Sequence, residues 1–209
     1  MLTFDTPCFS RSQVRSAETI SVPRLADQIA ELIKSMQTHP ATFWGCSSGG
    51  LAVLDLVVRH TALVRNAIVH EVVMDGAVAM LGDLATVNDA EVVERCTFLF
   101  AHIFNDDLAA WQALGDEYHA RLATNYVTWV RQYVAPGLMS RHNPKGLAGK
   151  PITWTIGGLT PAAAFLDNVV LAVESGIPIS ALTCKHFPQV SAPDMLAEHI
   201  QTSTLPYLQ

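Results

Sequence analysis

Residues 42–50 read Thr-Phe-Trp-Gly-Cys-Ser-Ser-Gly-Gly, and this run constrains the fold more than any other feature of the chain. It places Gly45-Cys46-Ser47-Ser48-Gly49 between an apolar, strand-like segment, Ala41–Cys46, and a helix-like segment, Ser48–Arg59, that opens in glycines. A serine at the tip of so tight a strand-to-helix turn stands clear of the sheet. The small residues Gly45 and Gly49 let the helix pass close to the strand. The N–H of Ser48 falls at the helix start, where the helix dipole favours negative charge. Serine alone is a weak nucleophile, so chemistry at Ser47 requires a base from elsewhere in the chain.

The remaining patterns alternate in the same manner. Leu2–Asp5, Asn66–Val73, Ile152–Ile156 and Ile177–Cys184 read as strands. Leu25–Met36, with an apolar stripe at Leu25, Ile29, Leu32 and Ile33, reads as a helix, as do Pro161–Ser175 and Asp194–Thr202. Strands alternating with helices predict an α/β fold, a mostly parallel sheet with helices on both faces. A length of 209 residues suits a single domain, 1–209. Residues 83–140 interrupt the alternation. They are helical in pattern and carry Phe98, Phe100, Phe104, Trp111, Tyr118, Tyr126, Trp129 and Tyr133. A helical insertion over strand ends is expected to act as a lid; the same aromatics also suit the core of the insertion itself.

Composition narrows the partners. Half the residues are hydrophobic, 15% are charged and the mean hydropathy is +0.26. That implies a large core plus apolar surface, as a substrate cavity or a subunit interface. A net charge of −6 without a basic cluster argues against nucleic acid. No apolar run is long enough to span a bilayer, and the N-terminus lacks a basic stretch followed by an apolar one, so a cytoplasmic protein without membrane contact is expected. Cys8, Cys46, Cys96 and Cys184 are scattered without metal-type spacing. Reduced thiols, and neither a metal nor an organic cofactor, are expected.

With these residues the chain resembles an α/β-hydrolase of the small esterase, lactonase and cofactor-free peroxidase type. Phe4-Asp5-Thr6-Pro7-Cys8-Phe9-Ser10-Arg11-Ser12 is similar to a segment that usually reads Tyr-Asp-x-x-Gly-x-Gly-x-Ser. Arg59–Arg65 followed by Ile68-Val69-His70-Glu71 resembles the family's helix end and next strand. Cys184-Lys185-His186-Phe187-Pro188 resembles the loop that carries the catalytic histidine. The likeness runs from residue 2 to about residue 200 and is least specific in the lid. It implies Ser47 as nucleophile and His186 as base, in the family's chain order. Of the other histidines, His60, His70 and His199 read as helix end, strand end and helix surface. His102 and His119 fall in the lid, where a pocket-lining place competes with a structural one.

Two departures from the family matter. The acid usually follows the strand matching Ile152–Ile156, where this chain has Gly157-Gly158-Leu159-Thr160-Pro161, so Thr160 stands in the carboxylate's place. Threonine cannot stabilise an imidazolium by charge. Some relatives carry the acid one strand earlier, at the position of Glu71, which makes Ser47–His186–Glu71 a possible triad; a buried structural carboxylate is the competing reading. Asp75 and Asp167 are weaker choices. Secondly, about three strands and the loop donating the second oxyanion-hole N–H normally precede the Leu2–Asp5 segment. The expectation is that Leu2–Asp5 pairs directly with Ala41–Cys46, that Cys8 or Phe9 N–H joins Ser48 N–H as oxyanion donor, and that a second copy covers the open sheet edge in a homodimer. Together these readings predict a serine hydrolase acting on an ester, thioester or lactone with an apolar portion. The alternative is a hydrolase-like scaffold repurposed as a lyase, cyclase, isomerase or small-molecule binder without hydrolytic activity.

Overall fold

A computed structural model describes residues 1–12, 20–136 and 142–208. The chain runs α1 (Val22–Ser35), β1 (Ala41–Cys46), α2 (Ser48–Arg59), β2 (Val64–His70), α3 (Asp75–Ala79), α4 (Asp89–Phe98), α5 (Leu108–Gln112) and α6 (Asp116–Trp129). It continues with α7 (Pro144–Leu147), β3 (Ile152–Gly157), α8 (Leu166–Glu174), β4 (Ile179–Leu182), α9 (Pro188–Ser191) and α10 (Pro193–Thr204). The four strands form one parallel sheet in the order β1-β2-β3-β4. This is the α/β architecture expected from the alternating pattern. Parallel strands buried on both faces read as near-continuous apolar runs, and Ala67, Ile68 and Val69 at the middle of β2 are fully buried.

Local chemistry explains the element ends. Ser21 caps α1, its hydroxyl accepting the Arg24 N–H at 3.3 Å, with Pro23 in the first turn. The buried stripe Val22, Leu25, Ala26, Ile29, Ala30 and Ile33 turns α1 toward the core it shares with α2. β2 stops at His70 because Glu71 takes a φ of +44°, outside the extended region. The expected strand over Asn66–Val73 is therefore cut short at its C-terminal end. β4 is likewise shorter than Ile177–Cys184. Pro161–Ser175 is a 3-10 turn at Ala162–Ala164 followed by α8.

One expected strand is absent. Leu2–Asp5 forms no ladder, and β1 is an edge strand whose sole partner among the described residues is β2. The segment folds on itself instead. The Ser12 hydroxyl donates to Asp5 O at 2.7 Å, and Arg11 Nε donates to Asp5 Oδ2 at 2.9 Å. Leu2 and Phe4 stay exposed, so no apolar gain draws this stretch into the sheet.

Between β2 and β3 the chain is helical. α4 continues into a π-helical turn at Leu99–Ile103, and α6 into another at Val130–Val134. Leu84, Val92, Cys96, Tyr126 and Val130 give this region a small core of its own, whereas Phe104 and Tyr133 belong to the main core. Residues 137–140 of the expected 83–140 insertion lie outside the described residues.

Register fixes where chemistry gathers. Cys46 lies opposite His70, His70 opposite Thr155, and Gly157 opposite Leu182. The residues just past these pairs, Ser47, Glu71, Gly158 and the 183–187 loop, therefore meet at one end of the sheet, the carboxyl end where open α/β sheets gather ligands.

Candidate active site

Ser47 sits at that end in the conformation its turn demands. Its φ of +56° and ψ of −127° are strained for a residue with a side chain. Its N–H donates to His70 O at 3.0 Å, and its own carbonyl accepts the Gly50 N–H at 3.0 Å. The tightness of the turn also explains Gly45. A Cβ there would lie 2.7 Å from Gly49 O and 2.8 Å from Val53 Cγ2. As the first residue of α2, Ser48 has an N–H with no intrahelical carbonyl to accept it.

His186 lies on the loop after β4, buried and 3% exposed. Its N–H donates to Phe104 O at 3.0 Å, and its carbonyl accepts the Cys46 thiol at 3.1 Å. The ring stacks on Phe165 at 4.9 Å and meets Phe187 edge-on at 4.7 Å, so its plane is fixed by packing. Nδ1 lies 2.8 Å from Glu71 Oε2. A carboxylate accepts only, so Nδ1 carries the hydrogen and Nε2 is left with the lone pair of a base. The other oxygen, Glu71 Oε1, accepts the Gly157 N–H at 2.8 Å. Both oxygens of this fully buried carboxylate are thus held, which is the condition for keeping a charge out of water. Among the described residues no hydrogen bond joins Ser47 to His186.

Thr160, standing in the family's usual acid position, does not bond the histidine. Its buried hydroxyl has no hydrogen-bond partner among the described residues. It presses on the same corner as Glu71: a Cβ on Gly157 would meet Thr160 Oγ1 at 2.6 Å, Cys184 O at 2.7 Å and Glu71 Oε1 at 3.0 Å. Gly157 is small so that the carboxylate of Glu71 can reach its N–H. Asp75 and Asp167 are placed elsewhere, Asp75 in α3 and Asp167 in the first turn of α8, where its Oδ2 accepts the Gly76 N–H at 2.9 Å.

The expected second oxyanion donors are a correction. Cys8 N–H donates to Ser12 O at 2.9 Å and Phe9 N–H donates to Thr6 O at 3.0 Å, so both are committed within their own turn. The turn is held this way because Cys8 and Ser10 take left-handed φ values of 74° and 47°, where the family pattern has glycine. Phe9 contributes its ring instead of its N–H. It packs on Tyr133 with centroids 5.5 Å apart and lines a cavity of about 270 Å³ in front of Ser47.

The rest of that cavity comes mainly from the helical segment, including Phe100, Trp111, Tyr126 and Trp129, with Phe187 and Val190 from the other side. Asn125, also at its wall, clasps the N-terminal turn: its Oδ1 accepts the Ser10 N–H and its Nδ2 donates to Ser10 Oγ, both at 2.9 Å. The sequence carried no periodic signal for this pair, 115 residues apart. His102 and His119 do not line the cavity; their rings lie against Phe98 and Trp111. His60 is bonded to Asp27 at 2.7 Å, and burial lowers the pKa of His199. Cys46 and Cys184 are not activated thiols. Burial pushes Cys46 well up and Cys184 to about 12. Among the described residues no cluster of side chains could hold a metal ion, and no helix is long and apolar enough to cross a membrane.

Comparison with known proteins agrees with the α/β fold. No protein-family profile matches the chain. It is 35% identical over 211 residues to a zearalenone hydrolase of Bionectria ochroleuca, covering 99% of this chain and 80% of that protein. It is also 35% identical over 213 residues to a zearalenone hydrolase of Cladophialophora bantiana, covering 99% and 78%. Among solved structures, a thermophilic esterase from Thermogutta terrifontis superposes with a TM-score of 0.69 at 15% identity, covering 98% of this chain and 79% of that one. The last likeness speaks for the fold alone; the first two are close enough over the whole chain to fix its kinship. The chain belongs to the α/β-hydrolase superfamily, as an enzyme of the hydrolase type in the family of the zearalenone hydrolases.

Proposed function

We propose that this enzyme cleaves the ester or lactone bond of an apolar small molecule, with Ser47 as nucleophile, His186 as general base and Glu71 as the acid that orients it. The single observation that carries the reading is the buried Glu71 Oε2–His186 Nδ1 bond of 2.8 Å beside a strained serine turn. Ser47 Oγ attacks the carbonyl carbon while His186 Nε2 takes its proton. The imidazolium so formed is stabilised by Glu71, and the tetrahedral oxyanion by Ser48 N–H at the start of α2. Collapse breaks the bond to the leaving oxygen, which takes the proton back from His186. Water, activated by the same imidazole, then releases the acyl group. In a lactone the acid and alcohol ends stay in one molecule, which suits one cavity in front of the serine. The aromatic lining supports an apolar substrate, and the hydrolysis of zearalenone named for the relatives makes zearalenone a natural first substrate to try.

The test is labelling with a fluorophosphonate probe, together with turnover of zearalenone and of p-nitrophenyl butyrate. Labelling and turnover in the wild type that vanish in Ser47→Ala and His186→Ala are expected. Folded wild type that neither labels nor turns over would reject the hydrolase reading in favour of a scaffold without hydrolytic activity.

A further inference from the structure

His70 is fully buried at the end of β2 and has no part in the mechanism above. Three pieces of the site nonetheless meet on it. Its backbone carbonyl holds the Ser47 N–H. Its Nδ1 lies 2.9 Å from Thr155 Oγ1 on β3. Its Nε2 lies 3.3 Å from the carbonyl of Lys185, the residue before His186, and 3.9 Å from Glu71 Oε2, the oxygen that His186 uses.

Counting hydrogens decides how the ring is used. If the ring hydrogen sits on Nδ1, it donates to Thr155 Oγ1, whose own hydrogen goes to Val69 O at 3.2 Å. Nε2 then points a lone pair at two acceptors, Lys185 O and Glu71 Oε2. If the hydrogen sits on Nε2, it donates to Lys185 O and faces the carboxylate, and Nδ1 accepts the Thr155 hydroxyl. The second arrangement leaves one opposed pair, the uncharged Thr155 Oγ1 and Val69 O at 3.2 Å, whereas the first opposes Nε2 to both the Lys185 carbonyl and the Glu71 carboxylate, so the second is favoured. A doubly protonated ring would place a full charge beside Glu71 and compete with His186 for it. Burial guards against that, pushing the His70 pKa down to about 4 despite the neighbouring Glu71; His186 and His199 press it in the same direction as burial.

We propose that His70, as the neutral Nε2–H tautomer, is a positioning residue that pins the Lys185 carbonyl and so aims the His186 ring between Glu71 and Ser47. The proposal rests on the hydrolase reading for its rate consequences but not for its tautomer. Glutamine at position 70 can place an amide N–H near Nε2, whereas asparagine reaches only the Nδ1 position.

The experiment compares His70→Gln, His70→Asn and His70→Leu for kcat and KM on p-nitrophenyl butyrate, alongside wild type and Ser47→Ala. Long-range ¹H–¹⁵N correlation spectra of the wild type, with the His70 ring assigned through its own backbone and Cβ resonances, read the tautomer between pH 8 and 5. Expected are a kcat for His70→Gln within about threefold of wild type, and a drop of about tenfold or more in His70→Asn and His70→Leu with KM changed less than about twofold. The spectra should show the Nε2–H form, unprotonated throughout. Equal kcat for the glutamine and asparagine variants, or an Nδ1–H ring, overturns the proposal. If the wild type shows no Ser47-dependent turnover, the hydrolase reading falls, and the spectra still decide the placement of His70. They also decide it if the variants do not fold.

Discussion

The carboxyl end of the sheet and the helical segment between β2 and β3 meet at one cavity but are built on opposite terms. At the sheet end, position is set by backbone. Ser47 and Glu71 both take left-handed φ values, 56° and 44°, and strain of that kind persists only where the surroundings over-determine it. Here the Ser47 N–H, the Glu71 N–H, both Glu71 carboxylate oxygens and the His186 N–H all have partners at 2.8–3.0 Å. In the helical segment, position is set by rings. Phe100 touches Phe104, Tyr126, Trp129 and Phe187 with centroids 5.2–6.4 Å apart, contacts without a hydrogen bond among them. The lesson is a division of labour: directional bonds fix the atoms proposed to move a proton, and adaptable apolar contacts line the cavity.

Substitutions at the sheet end should break that contrast most severely. Ser47→Ala is expected to lower kcat by on the order of 10⁴-fold or more, and Glu71→Gln by roughly 10³–10⁴-fold, both with intact folding by circular dichroism. A Glu71→Gln variant with near wild-type kcat would leave Glu71 a structural carboxylate only. Gly45→Ala forces a methyl against Gly49 O and Val53 and should destabilise by about 3 kcal/mol in urea unfolding.

Acid should loosen the same end of the sheet. The folded pKa of His70 lies below its unfolded value of 6.5, at about 4. The unfolded chain therefore binds more protons in this window, and stability is fully present above pH 6.5 and is lost as pH falls toward 4. The loss expected is about 3 kcal/mol, with His142 and His199 shifted in the same direction. Urea midpoints at pH 7.5 and 4.5 measure it, and His70→Gln should show a shallower fall.

The helical segment should respond in KM. Phe100→Leu is expected to raise KM about three- to tenfold with kcat within about twofold, since it trims binding common to ground and transition states. A large kcat loss there would mean that the segment also aims the chemistry. Smallest of all, Thr160→Val should leave kcat within about twofold and keep or slightly raise stability, because it removes a buried hydroxyl that has no partner.

Much of the sheet end was legible in residues. Gly45, Ser47, Gly49 and the flanking patterns announced the turn because its geometry tolerates few alternatives. The choice of His186 rested on the likeness of its loop, and the structure brings that loop to the same end of the sheet as Ser47. Glu71 was legible only as one of two options, since a carboxylate at a strand end looks the same whether it pairs with a histidine or with backbone N–H groups; it does both. Leu2–Asp5 misled because four residues with apolar character predict a strand only if a ladder is there to receive them. Cys8 and Phe9 misled for a related reason: whether an N–H is free depends on the turn it closes.

The sequence by itself determined the alternation of strands and helices, the strained serine turn and the order of serine and histidine. These are written in local periodicity and in residues that few other conformations accept. Tertiary structure alone decided that Glu71 reaches His186, that Thr160 does not, that Phe9 lines the cavity with its ring, and that His70 joins the elbow to the histidine loop. Those outcomes depend on distances between separate segments, 115 residues apart for Glu71 and His186 and for His70 and Lys185, and such distances are set by strand register and packing, which no local pattern encodes.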